Sequence, residues 1–168
     1  RRIAPHLRMS LISNASKLTP KSVDAMVGYL GYLKASINAT RKETYERTMK
    51  ISWDDTITGL KRLRDRKEEL GSVLPRVRLS FVLHRENLDE ILEAPALAKD
   101  VGAQSLNLFN MVPVQQRWSD RYDRLMTSDD VIENDYEHSL SVMRQFKQEC
   151  VRHGISIFGN VPLVDDVT

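Results

Sequence analysis

The feature that most constrains this chain is a regular alternation of short apolar runs with longer amphipathic segments. Apolar runs of strand length predict buried strands, and apolar residues at helical spacing predict helices. Strands that alternate with helices of ten or more residues form β-α-β units with a parallel sheet. The sequence therefore predicts an α/β fold, which is either a partial barrel or an open doubly wound sheet.

Five strands and four helices are predicted from this alternation. The strands cover residues 7–13, 31–37, 76–87, 104–114 and 155–161. The first two helices begin at the N-caps Thr19 and Ser52, and the last two cover 87–102, interrupted at Pro95, and 128–153, ended by Gly154. Several strands are nearly all apolar, which predicts that both faces of the sheet are covered.

Size, charge and cysteine content narrow the class of protein. A chain of 168 residues is expected to form a single domain, 1–168, with a substantial core. A net charge of +2 gives no bias toward nucleic acid, and no apolar run is long enough for a membrane helix, so neither partner is expected. The lone Cys150 cannot form an internal disulfide or hold a metal by thiolates, which favours the cytoplasm and predicts no metal site here.

Polar side chains collect where the predicted strands end, which is where ligand sites lie in both candidate folds. They are neutral hydrogen-bonding groups that suit a polar small molecule: Asn14, Ser36, Asn38, Asn87, Asn107, Asn110 and Asn160. None is an evident general base or nucleophile, so no catalytic residue is assigned. The alternative is that asparagine and serine merely close turns and cap helices after strands.

Two other arrangements are weaker candidates. His84 with Glu86 is the one pair considered for metal binding or acid–base work, against the alternative of an exposed histidine at a strand end. The segment 115–125 mixes Arg117, Trp118 and other basic and aromatic residues. It is interpreted either as a lid over a substrate or as a surface loop that packs its own aromatic rings.

The order of these pieces resembles the radical S-adenosylmethionine (radical SAM) enzymes, especially the subgroup with a C-terminal SPASM or twitch extension. "RMSLISNASKLTP" is similar to the third strand of that family and its Thr-Asn-Gly turn. "LKASINATRKETYER" is similar to the fourth strand and its "SIDGATKETYEK" continuation. Asn87 and Glu90 match the Asn-x-x-Glu start of a later helix, and "LAKDVGAQSLNLFNMVP" resembles the approach to the sixth strand. The resemblance covers nearly the whole chain.

The resemblance implies a partial (β/α)6 TIM-like barrel, of which this chain would be the C-terminal part. A [4Fe–4S] cluster would reduce SAM to a 5′-deoxyadenosyl radical, which abstracts hydrogen from a peptide or small-molecule substrate. The remainder of the barrel would be a partner of this segment. The implied activity is that of an iron–sulfur, metal-binding oxidoreductase.

The resemblance also assigns site residues. Ser36 and Asn38 would lie at the amino-acid end of SAM, and Arg47 or Lys50 would meet its carboxylate. The segment "TRKETYER" is expected to be a helix entry and loop beside the cofactor. The adenine would be flanked by Val82, Leu83, Phe109 and Met111. The remaining rim asparagines would contact substrate: Asn14, Asn87, Asn107 and Asn110.

The sequence also departs from the family pattern at several positions. Asn38 and Ala39 replace Asp-Gly, Met49 stands where an arginine usually follows isoleucine, and an uncharged Asn38 cannot balance the sulfonium. The Cys-x3-Cys-x2-Cys motif and the Gly-Gly-Glu-like turn are absent, so the cluster ligands are expected outside this segment, which alone is expected to be inactive. Its first strand would be an exposed edge that promotes self-association. A cluster-free binding or structural module is the alternative.

Overall fold

The described residues form a single parallel sheet with helices. The computed structural model describes residues 9–111 and 132–159. Its strands are β1 Ser10–Ser13, β2 Tyr32–Ser36, β3 Arg76–Leu83, β4 Ser105–Asn110 and β5 Ser156–Gly159, in the order β1-β2-β3-β4-β5. All neighbouring pairs are parallel. Because each strand adds to the same side of its predecessor, the sheet is singly wound, which confirms the barrel-like layout and excludes the doubly wound one.

Five α-helices accompany the strands within residues 9–111 and 132–159, one more than the sequence predicts. They are α1 Pro20–Met26, α2 Lys42–Met49, α3 Trp53–Glu69, α4 Ala94–Asp100 and α5 Tyr136–His153, with 3-10 helices at Asp89–Glu93 and Ile132–Asp135. The additional helix is α2, in the segment predicted as a helix entry and loop. In the part of the chain that the structure describes, no helix has the length and apolar character needed to cross a bilayer.

Local capping signals place the helix ends where the sequence predicts them. Thr19 Oγ1 accepts a hydrogen bond from the Ser22 N–H at 3.3 Å, and Ser52 Oγ accepts one from the Asp55 N–H at 3.2 Å. Gly154 ends α5 with a φ of +68°, a conformation that glycine adopts without steric cost. Pro95 lies in the first turn of α4, where its missing N–H needs no partner.

The two faces of the sheet differ, and among the described strands the prediction that both faces are covered holds only for β4, where residues 105–108 are all buried. Leu33, Ala35, Leu79, Phe81 and Leu106 are completely buried or nearly so against the helices. Their sequence neighbours point to the opposite face because side chains alternate along a strand. Those neighbours are half-buried or exposed at most positions, and we call this surface the open face.

Parallel register sorts the open face into layers from the amino to the carboxyl ends of the strands. Ser10, Tyr32 and Arg76 are at the amino ends, and three named layers follow them. The lower layer holds Ile12, Lys34, Arg78, Ser105 and Ser156. The middle layer holds Ser36, Ser80, Asn107 and Phe158. The upper layer holds Val82 and Phe109. The face therefore passes from cationic through neutral polar to apolar.

Strand β1 is an edge of the described sheet, as predicted. It pairs with β2 on one side, and Ile12 is 69% exposed, with Met9 and Leu11 also exposed. An apolar edge with unpaired backbone groups is a surface on which further strands can add. Self-association of the isolated chain therefore stays a prediction with a structural basis.

Candidate cofactor and substrate site

The turn after β2 is fixed by Asn38. This residue has a φ of +58°, a left-handed conformation that asparagine tolerates better than most residues. Its Oδ1 accepts a hydrogen bond from the Val82 N–H at 2.9 Å, and its Nδ2 donates to Met49 Sδ at 3.2 Å. An aspartate could accept the first bond but could not donate the second. Asn38 and Met49, two departures from the family pattern, are thus in direct contact.

Asn87 completes the connection between β2 and β3. Its Nδ2 donates to the carbonyl oxygens of Asn38 at 2.8 Å and Val82 at 2.9 Å, and its Oδ1 accepts from the His84 N–H at 2.9 Å. The residue is 2% exposed. Because both amide hydrogens and the oxygen are engaged in a buried position, the geometry favours a structural role over the substrate contact predicted for Asn87.

Glu90 caps helix α2 from a distant part of the chain. It is 5% exposed, and its Oε2 accepts from the backbone N–H groups of Thr40 and Arg41, each at 3.2 Å. Its Oε1 accepts from the Thr44 hydroxyl, and its carbonyl accepts from the Thr40 hydroxyl at 2.8 Å. The negative charge also suits the amino terminus of a helix. We call Asn38, Thr40, Thr44, Asn87 and Glu90 the loop frame.

Other residues of the "KETYE" stretch join α2 to α3. Tyr45 is fully buried, its hydroxyl lies 3.0 Å from Thr56 Oγ1, and its ring meets Trp53 edge-on at 5.2 Å. Burial raises the pKa of Tyr45 above its usual value. Glu46 Oε1 accepts from the Trp53 N–H at 3.0 Å. These contacts connect helix α2 to the start of helix α3.

The proposed SAM contacts divide into accessible and buried groups. Val82 and Phe109 are register partners in the upper layer, 37% and 40% exposed, and form an apolar surface at the carboxyl end of the sheet. Ser36 is half-buried beside Ser80 in the middle layer. Leu83 and Met111 are buried, and Leu83 lies on the helix side of the sheet, so the geometry does not favour them as adenine contacts.

The two basic residues proposed for the SAM carboxylate differ in their surroundings. Arg47 Nη2 lies 3.3 Å from Glu86 Oε2, in an ion pair between an exposed arginine and a half-buried glutamate. Lys50 follows the last residue of α2 with a φ of +56° and forms no ion pair with the residues that the structure describes. Lys50 is therefore the less engaged cation of the two.

The other predicted substrate asparagines lie in three environments. Asn14 is exposed, and its Oδ1 closes a turn by accepting from the Ser16 N–H at 3.1 Å and hydroxyl at 2.8 Å. Asn110 is half-buried and lies on the helix side of the sheet, as does its register partner Leu83. Asn107 is in the middle layer of the open face and is 8% exposed. Its side chain forms no hydrogen bond within the described ranges, so it is the candidate best placed for a ligand.

Sequence reasoning missed the polar residues below the strand ends. Lys34 and Arg78 are register partners in the lower layer. Arg78 Nε donates to Ser105 Oγ at 3.0 Å, and its guanidinium lies 3.9 Å from the centre of the Phe158 ring. The signal was present in the strict alternation of "YLKAS" and "RVRLSFVL", which separates a helix-facing set from an open-face set.

The alternative site at His84 and Glu86 gains no support from the structure. His84 is 2% exposed, contrary to its interpretation as an exposed strand-end histidine, and Glu86 pairs with Arg47. Within the described residues, no three His, Cys, Asp or Glu side chains are placed to hold a metal ion. Cys150 is buried in α5, which raises its pKa to about 12. With one cysteine in the sequence, this chain cannot supply the three thiolates of a radical SAM cluster motif.

Comparison with curated proteins finds a relative among SAM-dependent enzymes. No protein-family model matches the sequence. The AdoMet-dependent heme synthase of Methanosarcina barkeri is 29% identical over 146 residues, which cover 85% of this chain and 38% of that protein. The chain therefore spans well under half the length of this relative.

Solved structures share the fold. SuiB of Streptococcus suis bound to S-adenosylmethionine superposes with a TM-score of 0.66 at 12% identity, over 96% of this chain and 35% of SuiB. A domain of pyruvate-formate lyase-activating enzyme from Bacteroides vulgatus superposes with a TM-score of 0.58 at 9% identity, over 92% of this chain and 82% of that domain. Both matches confirm a partial TIM-like barrel. The curated relative and the order of motifs support the resemblance to the radical SAM superfamily, and the solved structures add the fold.

Proposed function

We propose that this chain forms the later strands of the core barrel of a SPASM- or twitch-type radical SAM enzyme, and that its open face holds SAM. One observation carries the proposal. Ser36, Val82 and Phe109, which the family resemblance assigns to SAM, come from three different strands and lie together at the carboxyl end of the open face. Ligands bind at this end of the strands in β/α barrels.

The residues present fit the chemistry of SAM. The upper layer offers two exposed apolar side chains on which an adenine could stack, and the middle layer offers hydroxyl and amide groups for the amino-acid end. Lys50, or Arg47 if it leaves Glu86, would meet the carboxylate. When bound beside a [4Fe–4S] cluster, SAM would supply a 5′-deoxyadenosyl radical. The loop frame positions the turns that border this surface.

The cluster itself does not fit the residues of this chain. Three thiolates are needed for its binding motif, and the single cysteine is buried with its pKa raised to about 12. We therefore propose that the cluster ligands come from outside this segment, along with the remainder of the barrel. The lone, reduced thiol also favours a cytoplasmic location.

The substrate is proposed to be a peptide or another small molecule. SuiB has been solved with a precursor peptide, SuiA, and the curated relative is a heme synthase, so each type has a precedent among similar proteins. Asn107 is the proposed substrate contact among the predicted asparagines, since its amide is directed to the open face without a partner in the described structure.

Binding of SAM by the purified protein tests the proposal directly by isothermal titration calorimetry. Phe109→Ala is expected to weaken SAM binding about tenfold, because stacking of a base on an aromatic ring contributes about 1–3 kcal/mol. Ser36→Ala should have a smaller effect of about threefold to tenfold through a lost hydrogen bond.

The matched control is Tyr29→Ala, which removes an exposed aromatic ring near the start of β2 and away from the open face. Thermal unfolding verifies that each variant is folded. Equal SAM affinity in Phe109→Ala and Tyr29→Ala would overturn the assignment of SAM to the upper layer.

A further inference from the structure

Two cations stand side by side on the lower layer of the open face. Lys34 and Arg78 are direct register partners on adjacent parallel strands, whose backbones are about 4.8 Å apart. Like charges placed directly opposite each other on one sheet face are destabilising. The other open-face positions in the described strands carry no carboxylate: Ser10, Ile12, Tyr32, Ser36, Ser80, Val82, Ser105, Asn107, Phe109, Ser156 and Phe158, with Arg76 a further cation.

Arg78 is held in place. Its Nε donates to Ser105 Oγ at 3.0 Å, and its guanidinium plane covers the Phe158 ring at 3.9 Å. Ser105 itself is buried. These contacts use one N–H and one face of the guanidinium and leave its terminal nitrogens without an acceptor in the described structure. A fixed guanidinium with free terminal N–H groups is suited to bidentate binding of an oxyanion.

Lys34 contrasts with other lysines of the chain. Lys61 pairs with Asp100 at 2.8 Å, and Lys42 pairs with Asp54, both on the helical exterior. Lys34 is half-buried on the open face and forms no ion pair with a described residue. Partial burial makes an unpaired charge more costly than it would be in water. The arrangement is therefore incomplete without a negative group.

Asn107 gives a second, independent sign of a ligand. Its side chain is more than nine-tenths buried, lies in the layer directly above Ser105, and has no hydrogen-bond partner in the described ranges. An amide can both donate and accept, so one that forms no hydrogen bond within the protein and faces a cationic surface is available to a polar ligand. The amide and the two cations border the same region of the sheet.

We infer that Lys34 and Arg78 bind an oxyanion of the substrate, so that this enzyme selects a molecule that carries a carboxylate or phosphate group. The inference rests on the proposed function, since it places the substrate below SAM. Lys34 precedes Ser36 by two residues in β2, so the cations lie about 6.6 Å deeper than the proposed amino-acid end of SAM. An anionic group at that depth would anchor one end of the substrate and leave the other toward the upper layer.

Anion-dependent stability of the purified full-length protein tests the inference. The melting temperature is measured in succinate, in inorganic phosphate and in sodium chloride at equal ionic strength. We expect succinate or phosphate to raise it above the chloride value by mass action on the folded state. Lys34→Gln and Arg78→Gln should each raise the anion concentration needed for the same increase in melting temperature by at least about tenfold, because a charge-assisted hydrogen bond is lost.

Lys34→Gln has a second expected result that a merely structural lysine would not show. Without added anion it should melt at a higher temperature than the parent protein, because the repulsion between neighbouring cations is removed. Arg78→Lys serves as a conservative variant that keeps the charge and should keep part of the anion effect. Lys21→Gln and Arg144→Gln, on exposed helical positions, are the matched controls and should behave as the parent.

The two anions distinguish the chemistry of the substrate group, and SAM affinity separates this inference from the proposed function. A response to succinate alone indicates that the site binds a carboxylate, and a response to phosphate alone indicates a phosphate. A response to both anions indicates a site that selects for negative charge. No response beyond chloride, or an equal response in Lys34→Gln, overturns the inference. A tenfold loss of SAM affinity in Lys34→Gln also overturns it, because the cations would then belong to SAM. Failure of the parent protein to bind SAM contradicts only the proposed function.

Discussion

The loop frame and the open face are built from the same kinds of residues but use them differently. In the frame, Asn87 is 2% exposed and makes three hydrogen bonds, and Glu90 is 5% exposed and makes three through its carboxylate. On the open face, Asn107 is 8% exposed and makes none with the described residues. Burial is nearly equal, so burial alone does not mark a binding residue. The number of hydrogen bonds that a side chain forms within the protein distinguishes the two regions.

This difference separates the residues that carry the family resemblance from those that can carry ligands. Thr40, Thr44, Tyr45 and Glu90 hold helix α2 in place through buried contacts. Ser36 is the member of the "SINATRKETYE" stretch that lies on a strand of the open face. The stretch is therefore mainly a device that fixes the turns after β2 and β3, and thereby fixes the edge of the site.

The largest expected effect comes from removing the carboxylate at the centre of the frame. Glu90→Ala should lower the free energy of unfolding by about 3–5 kcal/mol, because buried hydrogen bonds to a charged group are lost and the start of α2 is left uncapped. Urea unfolding measures the change. Glu93→Ala removes a carboxylate of the exposed ion pair with Arg41 and should cost less than about 1 kcal/mol. Equal losses in the two variants would show that Glu90 is not a structural cap.

A smaller but still large loss is expected for Asn87→Leu. The substitution keeps the approximate volume, removes three hydrogen bonds, and leaves the His84 N–H and the Val82 and Asn38 carbonyls without their partner. Each unsatisfied buried group costs about 1–3 kcal/mol, partly relieved by relaxation, so a loss of about 2–4 kcal/mol is expected. Urea unfolding and amide exchange of His84 provide the measurement. A stability equal to that of the parent would remove Asn87 from the frame.

The fold could be predicted largely because its signals are local. Apolar periodicity placed all five strands, and the caps Thr19, Ser52 and Gly154 fixed helix ends within a few residues. Helix α2 could not be found in this way. It buries only Thr44 and Tyr45, its N-cap residue Arg41 has no side-chain cap, and the capping carboxylate comes from Glu90, far along the chain.

The site could be predicted only in part. A strand end shows where a polar side chain lies, but not whether its hydrogen-bonding groups are already paired within the protein. Ser36, Val82, Asn107 and Phe109 lie on the open face, and their roles stay predictions. Asn87 and Asn107 could not be distinguished in the sequence, since the bonds of Asn87 to His84 and Val82 depend on the conformation of the turn and its bond to Asn38 joins distant parts of the chain. Lys34 and Arg78 lie in mid-strand, where a search confined to strand ends does not reach, although the alternation of their strands places them on one face.

The smallest expected effect is the sharpest test of the contrast between the two regions. Asn107→Leu is the same substitution as Asn87→Leu at a similarly buried position, yet it should leave the free energy of unfolding unchanged or raise it by up to about 1 kcal/mol, because an unpaired amide is replaced by an apolar group. Urea unfolding of both variants, side by side with the parent, gives the comparison. A loss of more than about 2 kcal/mol in Asn107→Leu would mean that its amide is satisfied by the protein itself. The open face would then lack the unpaired amide that we assign to the substrate, whereas opposite responses to one substitution would establish that hydrogen-bond satisfaction separates the frame from the site.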